Sequence, residues 1–537
     1  MKKYFAIIVL LLFLTSCIPA ATPASVAPIP QTAIPVQSTN TPQPTQPWWR
    51  EAVFYEIFVR SFYDSNGDGI GDLNGVTQRL DYLQSLGVTA IWLMPIQPSP
   101  SYHGYDVVDY YAVNPEYGTM DDLSNLLQEA HSRDIRVIMD LVINHTSSQH
   151  PWFVAANSNA GSPYHNWYVW SDASGGNKWY QGNPGYYYAY FWEGMPDLNF
   201  TNPAVTEEVE NISRFWLHEV GMDGFRIDAA KHLIEKGAVL ENTAETRDWF
   251  TAYLQFTKTL APQAYVVGEV AGAGGLLAES YSDGLDQVFN FELANAIVNS
   301  VAGGAKSSVE SGYKFVLKEK PDGNYATFLT NHDQNRVNSV LKENDDKARV
   351  AAVMLFTAPG TPFIYYGEEI GMLGAKPDED IRLPMQWTDN PANAGFTTGT
   401  PWRAPHPSTI NRNVQTQQKD PASLLNQYRV LSSLRREYKS LQTGSVHLLQ
   451  TANPYVFAML RVLGEEKMLL VVNLSNQAQP QVEFKGEADF ADGTYTPQIL
   501  YGQQQVLAPL TIQKNAISPY IPSAELPPYA TILAILK

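Results

Sequence analysis

Short apolar runs alternate with helix-like segments between about residues 50 and 370, and this alternation constrains the fold more than any other feature. The apolar runs predict strands at 53–59, 88–95 and 136–142, and further strands that begin near Gly224, Tyr265, Gln287, Tyr325 and Thr361. The amphipathic segments predict helices at 77–86, 123–133, 205–220 and 345–358. Strand–helix units repeated in this order predict an α/β fold, a (β/α)8 TIM barrel, over residues 48–145 and 203–438.

Two stretches do not follow the barrel pattern. A segment rich in Tyr, Trp, Gly and Asn lies between Asn144 and Ala204. Because so long a connection is a small domain of its own, we expect an inserted domain at 146–202, after the third strand, that forms one wall of a cleft. Short alternating runs at 455–460 and 467–472 predict a C-terminal all-β sandwich domain at 439–537.

The N-terminus has the pattern of an export signal. Lys2 and Lys3 precede an apolar run at 4–14 that is too short to span a membrane. The run ends in LTSC, which resembles a bacterial lipobox, so we expect a signal peptide at 1–16 and acylation of Cys17. The alternative is an ordinary secretory signal with an incidental cysteine.

The segment 17–47 starts at this cysteine and is rich in Pro, Thr, Ala, Ser and Gln. Such a composition predicts a disordered tether that holds the folded part away from a membrane. The expected product is an exported lipoprotein, anchored through Cys17 at the cell surface or facing the periplasm.

The charge and cysteine content exclude several classes of protein. The formal net charge of −18 argues against nucleic acid as a partner and suits a neutral substrate and bound cations. The chain has one cysteine, so no disulfide can form within it. The folded part must therefore be stabilised by its core, and bound metal is a candidate further contribution.

Three carboxylates follow three of the predicted strands directly. Asp228 stands two residues after Arg226 at the end of one apolar run, Glu269 ends the next run, and Asp333 ends a later one. The parallel strands of a barrel bring their C-terminal ends to one face, where barrel enzymes assemble their active sites. We therefore expect the three acids to meet at one substrate bond.

The motifs around these acids resemble those of the α-amylase family, glycoside hydrolase family 13. The resemblance covers about residues 48–537 and depends on several motifs in the family's order. They are GYD at 104–106, DLVINH at 140–145, MPDLN at 195–199, GFRIDAAKH at 224–232, GEV at 268–270 and FLTNHD at 328–333.

The resemblance implies a retaining glycosidase mechanism with two carboxyl groups. It implies that Asp228 is the nucleophile, that Glu269 is the general acid/base, and that Asp333 stabilises the transition state. The residues that it implies for substrate binding are Tyr105, His145, Arg226, Lys231, His232 and His332. Within this set, Arg226 is expected to keep Asp228 ionised by charge pairing.

An oxygen-rich, glycine-rich loop follows the first strand. Its candidate ligands for a hard cation are Asp64, Asn66, Asp68, the Ile70 carbonyl and Asp72. It resembles the first-loop calcium site of parts of this family, and the alternative is an Asx-turn loop without metal. By resemblance, Asn144, Asp197 and the His232 carbonyl form a candidate second calcium site. No redox cofactor or nucleotide is expected.

Three details of the resemblance narrow the activity. The pair Lys231-His232 is similar to the pair at the leaving-chain subsite of α-amylases, and Ala229 is similar to members with α-1,4 specificity. The MPDLN motif resembles the intermediary α-amylase subfamily. No β-domain of the cyclomaltodextrinase kind precedes the first strand, which disfavours a dimeric cyclodextrin hydrolase and favours a monomer.

The resemblance thus implies an α-amylase that hydrolyses internal α-1,4-glucosidic bonds in starch, glycogen and maltooligosaccharides. The alternative is an α-glucosidase, maltogenic or cyclomaltodextrinase-type enzyme that acts on short maltooligosaccharides. A glycan-capture protein without activity is disfavoured because Asp228, Glu269 and Asp333 are all present.

Overall fold

The computed structural model describes residues 46–272, 280–320, 322–488, 490–503 and 505–537. Gln46–Lys537 forms one compact unit. The predicted signal peptide, the acylation site Cys17 and nearly all of the tether lie outside the described residues. Within the described residues, no helix is both long and apolar enough to cross a membrane.

A parallel sheet forms the barrel. The first strands in chain order are β1 (Phe54–Ile57), β2 (Ala90–Leu93), β3 (Arg136–Leu141), β4 (Trp170–Ser171), β5 (Trp179–Gln181), β6 (Tyr186–Tyr188), β7 (Gly224–Ile227), β8 (Tyr265–Gly268), β9 (Gln287–Val288), β10 (Ala326–Thr327) and β11 (Thr361–Tyr365). Eight of them pair in the order β10-β11-β1-β2-β3-β7-β8-β9. A parallel bridge between Phe289 and Ala326 joins the two edges, so the predicted (β/α)8 barrel is confirmed.

The strands form where the sequence is apolar without interruption. Every residue of β2, with the sequence AIWL, is buried. Strands covered on both faces need such continuous runs, because helices pack outside and side chains fill the barrel inside. The predicted strand at 53–59 is shorter in the structure, because Val59 begins a helical turn that redirects the chain.

The helices lie between the strands and over them. They span Val59–Phe62, Leu73–Gln78, Leu80–Leu86, Met120–His131, Pro151–Ser158, Pro203–Arg214, Ala244–Leu260, Phe291–Gly303, Ser307–Glu319, Val337–Val340, Asp345–Thr357, Asp378–Ile381, Val414–Gln417, Leu424–Glu437 and Lys439–Thr443. The helix predicted at 77–86 begins earlier and is split in two. Its earlier start has a local cause, since the Asp72 carboxylate accepts from the backbone N–H of Gly75 as an N-cap.

The insert after β3 is a small antiparallel sheet in the order β4-β6-β5. A backbone bridge from His145 to Asp197 ties its end to the barrel, and a bridge from Tyr168 to Leu198 lies within the insert. Phe153 packs against the rings of Tyr168, Trp170 and Tyr187. Part of the insert's aromatic content is therefore its own core.

The C-terminal region is all β, as predicted. Its strands are β12 (Ser445–Leu448), β13 (Val456–Leu463), β14 (Glu466–Asn473), β15 (Gln479–Pro480), β16 (Phe484–Glu487), β17 (Gly493–Tyr495), β18 (Pro497–Gly502), β19 (Leu510–Gln513), β20 (Ala516–Tyr520), β21 (Glu525–Leu526) and β22 (Thr531–Leu536). The larger sheets have the orders β12-β13-β14-β22-β18 and β16-β20-β19-β17. Leu460, Phe484 and Ile512 belong to one buried apolar cluster between them. The domain boundaries, including residue 439, stay predictions.

Candidate active site

The three predicted acids meet at the C-terminal face of the barrel. Asp228 directly follows β7, Glu269 directly follows β8, and Asp333 lies in the loop after β10. All three line one cavity of about 390 Å³. The predicted binding residues that line the same cavity are Tyr105, His145, Lys231 and His232.

One buried arginine joins the acids. Arg226 donates from Nη1 to Asp228 Oδ1 at 2.6 Å and from Nη2 to Glu269 Oε2 at 2.7 Å. Nη1 also donates to Asp140 Oδ1 at 2.7 Å. Because successive strand residues point to opposite sides, residues 226 and 228 share one side of β7. Arg226 therefore positions both predicted catalytic carboxyls, whereas the sequence predicted a contact with Asp228 alone.

Asp140 is a site residue that the sequence analysis did not select. It is fully buried in β3, where it accepts from Trp92 Nε1 at 3.2 Å and from Tyr105 Oη at 3.0 Å. Burial raises the pKa of Asp140 to about 7, against the opposing effect of Arg226. A carboxylate within an apolar strand could have marked Asp140 in the sequence. A buried charge requires a partner, so such a residue predicts a charged or hydrogen-bonding neighbour.

Glu56, His332 and Tyr105 form a second hydrogen-bonded group. His332 Nδ1 lies 2.5 Å from Glu56 Oε1, and His332 Nε2 lies 2.7 Å from Tyr105 Oη. The Tyr105 and His332 rings stack with centroids 5.5 Å apart. Burial alone would lower the pKa of His332, but the carboxylates of Asp333 and Glu56 outweigh burial and raise it. Glu56, a charge in apolar β1, also went unselected in the sequence analysis.

Asp333 lies between two cationic groups. Arg382 Nη2 donates to its Oδ1 at 2.9 Å, and His332 Nε2 lies 3.2 Å from its Oδ2. Burial alone would raise the pKa of Asp333, but His332 and Arg382 together lower it. Asp333 is therefore ionised at neutral pH. No local motif marked Arg382, which follows the short helix Asp378–Ile381.

The carboxyls of Asp228 and Glu269 have raised pKa values. Burial is the largest cause for each, and the contacts with Arg226 oppose it. Negative charge on Asp228 and Asp333 raises the pKa of Glu269 further. A raised pKa favours the protonated form of Glu269, which is the form that a general acid requires.

The two other predicted histidines are held neutral by burial. His145 Nε2 lies 3.0 Å from the Tyr105 carbonyl oxygen, and burial lowers the pKa of His145 to about 4. His232 Nδ1 lies 3.0 Å from the Leu240 carbonyl oxygen, and burial lowers its pKa as well. Lys231 pairs with Glu241 at 2.7 Å. Their substrate contacts stay predictions.

The residue after Asp228 has an unusual backbone conformation. Ala229 has φ of 46°, in the left-handed region that costs a residue with a Cβ roughly 1–2 kcal/mol. The turn brings the Ala229 N–H to 3.3 Å from Glu269 Oε2. The strained residue thus contributes a third hydrogen-bond donor to the pair of acids, together with Arg226.

Two exposed aromatic residues of the insert border the cavity. Phe191 is 46% exposed and Trp192 is 48% exposed, and both line the cavity with the acids. The Phe191 ring lies 5.2 Å from the His145 ring. Exposed aromatic rings at a cleft are suited to packing on the flat apolar faces of a ligand. The sequence analysis noted that the insert is rich in Tyr and Trp but did not select Phe191 or Trp192.

The loop proposed for calcium is closed by its own hydrogen bonds. Asp64 Oδ1 accepts from the N–H groups of Asn66 and Gly67, and Oδ2 accepts from Gly69 N–H and from Thr397 Oγ1. Among the residues that the structure describes, no group of three or more His, Cys, Asp or Glu side chains is arranged to hold a metal ion. The predicted metal-ligand roles in this loop stay predictions, and the support for them is the number of oxygen atoms that the loop offers. The residues concerned are Asp64, Asn66, Asp68, Ile70 and Asp72.

At the second candidate site, an orphaned oxygen fits a cation. Asn144 donates from Nδ2 to Asp197 Oδ2 at 3.2 Å, but its buried Oδ1 has no hydrogen-bond partner among the residues that the structure describes. Burial raises the pKa of Asp197 well above its usual value. A hard cation between these oxygens and the His232 carbonyl would satisfy the orphan and lower that pKa.

Comparisons with known proteins agree with this geometry. A model of the alpha-amylase catalytic domain matches residues 56–444. The chain is 44% identical to alpha-amylase 3 of Dictyoglomus thermophilum over 84% of this chain and 90% of that protein. It is 36% identical to a glucan 1,6-alpha-glucosidase of Streptococcus pneumoniae over 86% of this chain and 98% of that protein. The crystal structure of an alpha-amylase from H. orenii superposes with a TM-score of 0.79 at 39% identity, over 90% of this chain and 99% of that chain.

Proposed function

Since this chain belongs to the α-amylase family of glycoside hydrolases, we propose that it is a retaining α-amylase. Its reaction is hydrolysis of internal α-1,4-glucosidic bonds in starch, glycogen and maltooligosaccharides. The observation that carries the proposal is the shared contact of Arg226 with Asp228 and Glu269 at one cavity. A single guanidinium group spans the two carboxyls, as suits the short separation of a retaining pair.

In the first step, the Asp228 carboxylate attacks the anomeric carbon of the sugar. The glycosidic C–O bond breaks, and Glu269 gives its proton to the leaving oxygen. In the second step, Glu269 takes a proton from water, and that water displaces Asp228 from the same carbon. Two inversions give net retention of configuration.

Asp333 and its neighbours act on the charge that develops in this reaction. The oxocarbenium-like transition state is positive, and the ionised Asp333 stabilises it. Because Arg382 and His332 lower the pKa of Asp333, that negative charge persists when Glu269 is protonated. Tyr105, stacked on His332, offers a flat surface for the sugar ring whose glycosidic bond is cleaved.

The relatives favour an α-amylase over the alternative enzymes. The relative at 44% identity is named an alpha-amylase, whereas the oligo-1,6-glucosidase of Parageobacillus thermoglucosidasius is 33% identical. The side chains of Lys231 and His232 also line the cavity, as the leaving-chain pair of an α-amylase does. Action on short maltooligosaccharides by an α-glucosidase, maltogenic or cyclomaltodextrinase-type enzyme is the second candidate.

The test uses the purified chain from Gln46 onward with soluble starch, followed by iodine staining and by chromatography of released sugars. An endo-acting α-amylase destroys iodine colour early and releases a range of maltooligosaccharides. Release of glucose or maltose alone, with slow loss of colour, would contradict the endo assignment. Asp228→Asn removes turnover, while Asp223→Asn, which alters an acid just before the same strand, is the matched control.

We also propose that calcium stabilises this protein through the loop at 64–72 and through Asn144 and Asp197. Membrane anchoring through acylated Cys17, membership of the intermediary subfamily and a monomeric state are further proposals. Incorporation of labelled fatty acid into the full chain, lost in Cys17→Ala, tests the anchor.

A further inference from the structure

A second cavity, of about 530 Å³, lies between the insert and the loop after β7. Its lining residues include Trp170, Trp179, Tyr188, Phe200, Asn199 and Glu235. None of the residues that line it also line the cavity of the three acids. The volume lies within the usual range of small-molecule sites.

Aromatic rings form much of the wall of this cavity. Trp170 and Trp179 are half-buried, so their rings retain exposed surface. The rings of Trp179 and Tyr188 lie 5.3 Å apart at an interplanar angle of 57°, which makes a corner with two aromatic faces. The apolar C–H faces of sugar rings pack well on such surfaces, whereas an anionic ligand gains little from them.

Two residues that line the cavity carry buried oxygens without a partner. Tyr188 Oη and Glu235 Oε1 are both buried and make no hydrogen bond with any residue that the structure describes. Buried polar atoms are nearly always paired, so two orphans beside one cavity leave unused hydrogen-bonding capacity that a ligand can take up when these side chains adjust. Sugar hydroxyls can both donate and accept, and they can therefore satisfy a phenol and a carboxyl together.

Neighbouring residues along the chain line the two cavities. The segment that carries Met195 to the acid cavity continues into Asn199 and Thr201 of the second cavity. Likewise Lys231 and His232 line the first cavity, and Leu233 to Glu235 line the second. The two cavities therefore lie close together, at a separation that one polymer can span.

We propose that this second cavity binds a segment of α-glucan and so increases affinity for polymeric substrate. The proposal rests on the function proposed above, because it takes the same substrate class. A second contact on one polymer raises the effective concentration of internal glucan segments at the active site. Short oligosaccharides cannot reach both cavities and gain nothing from it.

The experiment measures starch binding separately from cleavage. Binding is followed by electrophoresis in gels that contain glycogen, in one calcium buffer, with Asp228→Asn as the background that prevents digestion. Adding Trp179→Ala is expected to weaken glycogen binding about tenfold, and adding Glu235→Gln several-fold. Tyr455→Ala, at an exposed aromatic of the C-terminal region, is the matched control and leaves binding unchanged.

A second readout separates binding from damage to the fold. In the active chain, Trp179→Ala is expected to keep kcat/KM for maltotriose within twofold while kcat/KM for glycogen falls. Unchanged glycogen binding in both Trp179→Ala and Glu235→Gln would overturn the proposal, and so would equal losses on maltotriose and glycogen. If the active chain cleaves no α-1,4-glucan at all, the proposed function fails, but the binding result with the Asp228→Asn background still decides the second cavity.

Discussion

Replacement of Arg226 by methionine tests the electrostatic argument at the site. Arg226 contacts Asp140, Asp228 and Glu269, and its own side chain is 1% exposed. Methionine fills similar space but leaves three buried carboxyls without their cation. Breaking a buried ion pair by removing one partner costs about 3–5 kcal/mol.

The cost must depend on pH, and its sign follows from the carboxyls. Burial raises the pKa of Asp140 to about 7 even with Arg226 present. Without Arg226 the pKa values of all three carboxyls rise further, so the folded state binds protons more tightly than the unfolded state. A carboxyl with a raised pKa in the folded state destabilises the protein as pH rises through that range. The loss of stability in Arg226→Met is therefore complete near pH 8, where the three carboxyls must ionise, and smaller near pH 5.

The assay is thermal unfolding of Arg226→Met and of the wild-type chain at pH 5 and pH 8, at one scan rate. For a unit as large as Gln46–Lys537, the unfolding entropy is roughly 1 kcal/mol per kelvin. The expected fall in Tm is then about 3–5 °C at pH 8 and less than half of that at pH 5.

Arg435→Met is the matched control for pH dependence. Arg435 is also buried, but it donates to the carbonyl oxygens of Phe356, Leu441 and Gly360, which do not titrate. The fall in Tm caused by Arg435→Met is expected to be equal at pH 5 and pH 8. An equal loss for Arg226→Met at both pH values would refute the charge-pairing argument.

Three further predictions concern catalysis, metal and acid stability. Glu269→Gln should lower kcat/KM on starch by roughly 10²–10⁴-fold. The loss should be smaller on an aryl glycoside, because its leaving group needs no proton. Equal losses on the two substrates would contradict the general-acid role. Calcium at about 100 times its Kd should raise Tm by about 3 °C relative to a chelator, and Asp68→Asn but not the surface change Asp121→Asn should weaken this effect. Burial lowers the pKa of His145 to about 4, whereas an unfolded histidine titrates at about pH 6.5. The stability that neutral His145 contributes is therefore lost as pH falls from about 6.5 to 4. His145→Asn should flatten that part of the curve of stability against pH, and an unchanged slope would contradict the pKa shift.

The local features of the site could be predicted because the strand ends carry them. Asp228 and Glu269 directly follow apolar runs, and a parallel barrel brings such positions to one face. The acids Glu56 and Asp140 were detectable as charges in apolar strands, yet their partners were not. Arg382 could not be predicted, because it reaches Asp333 from a distant loop with no periodic pattern.

The sequence by itself determined the barrel, the β-sheets of the C-terminal region and the position of Asp228 and Glu269 at strand ends. Those features depend on hydrophobic period and on position within a strand, which are local properties of the chain. Only the tertiary structure decided which charges pair, since Arg226 meets Asp140 and Glu269 from separate strands. It also decided the protonation tendencies, because desolvation and the distances between charges fix a pKa, and both arise when distant segments pack together.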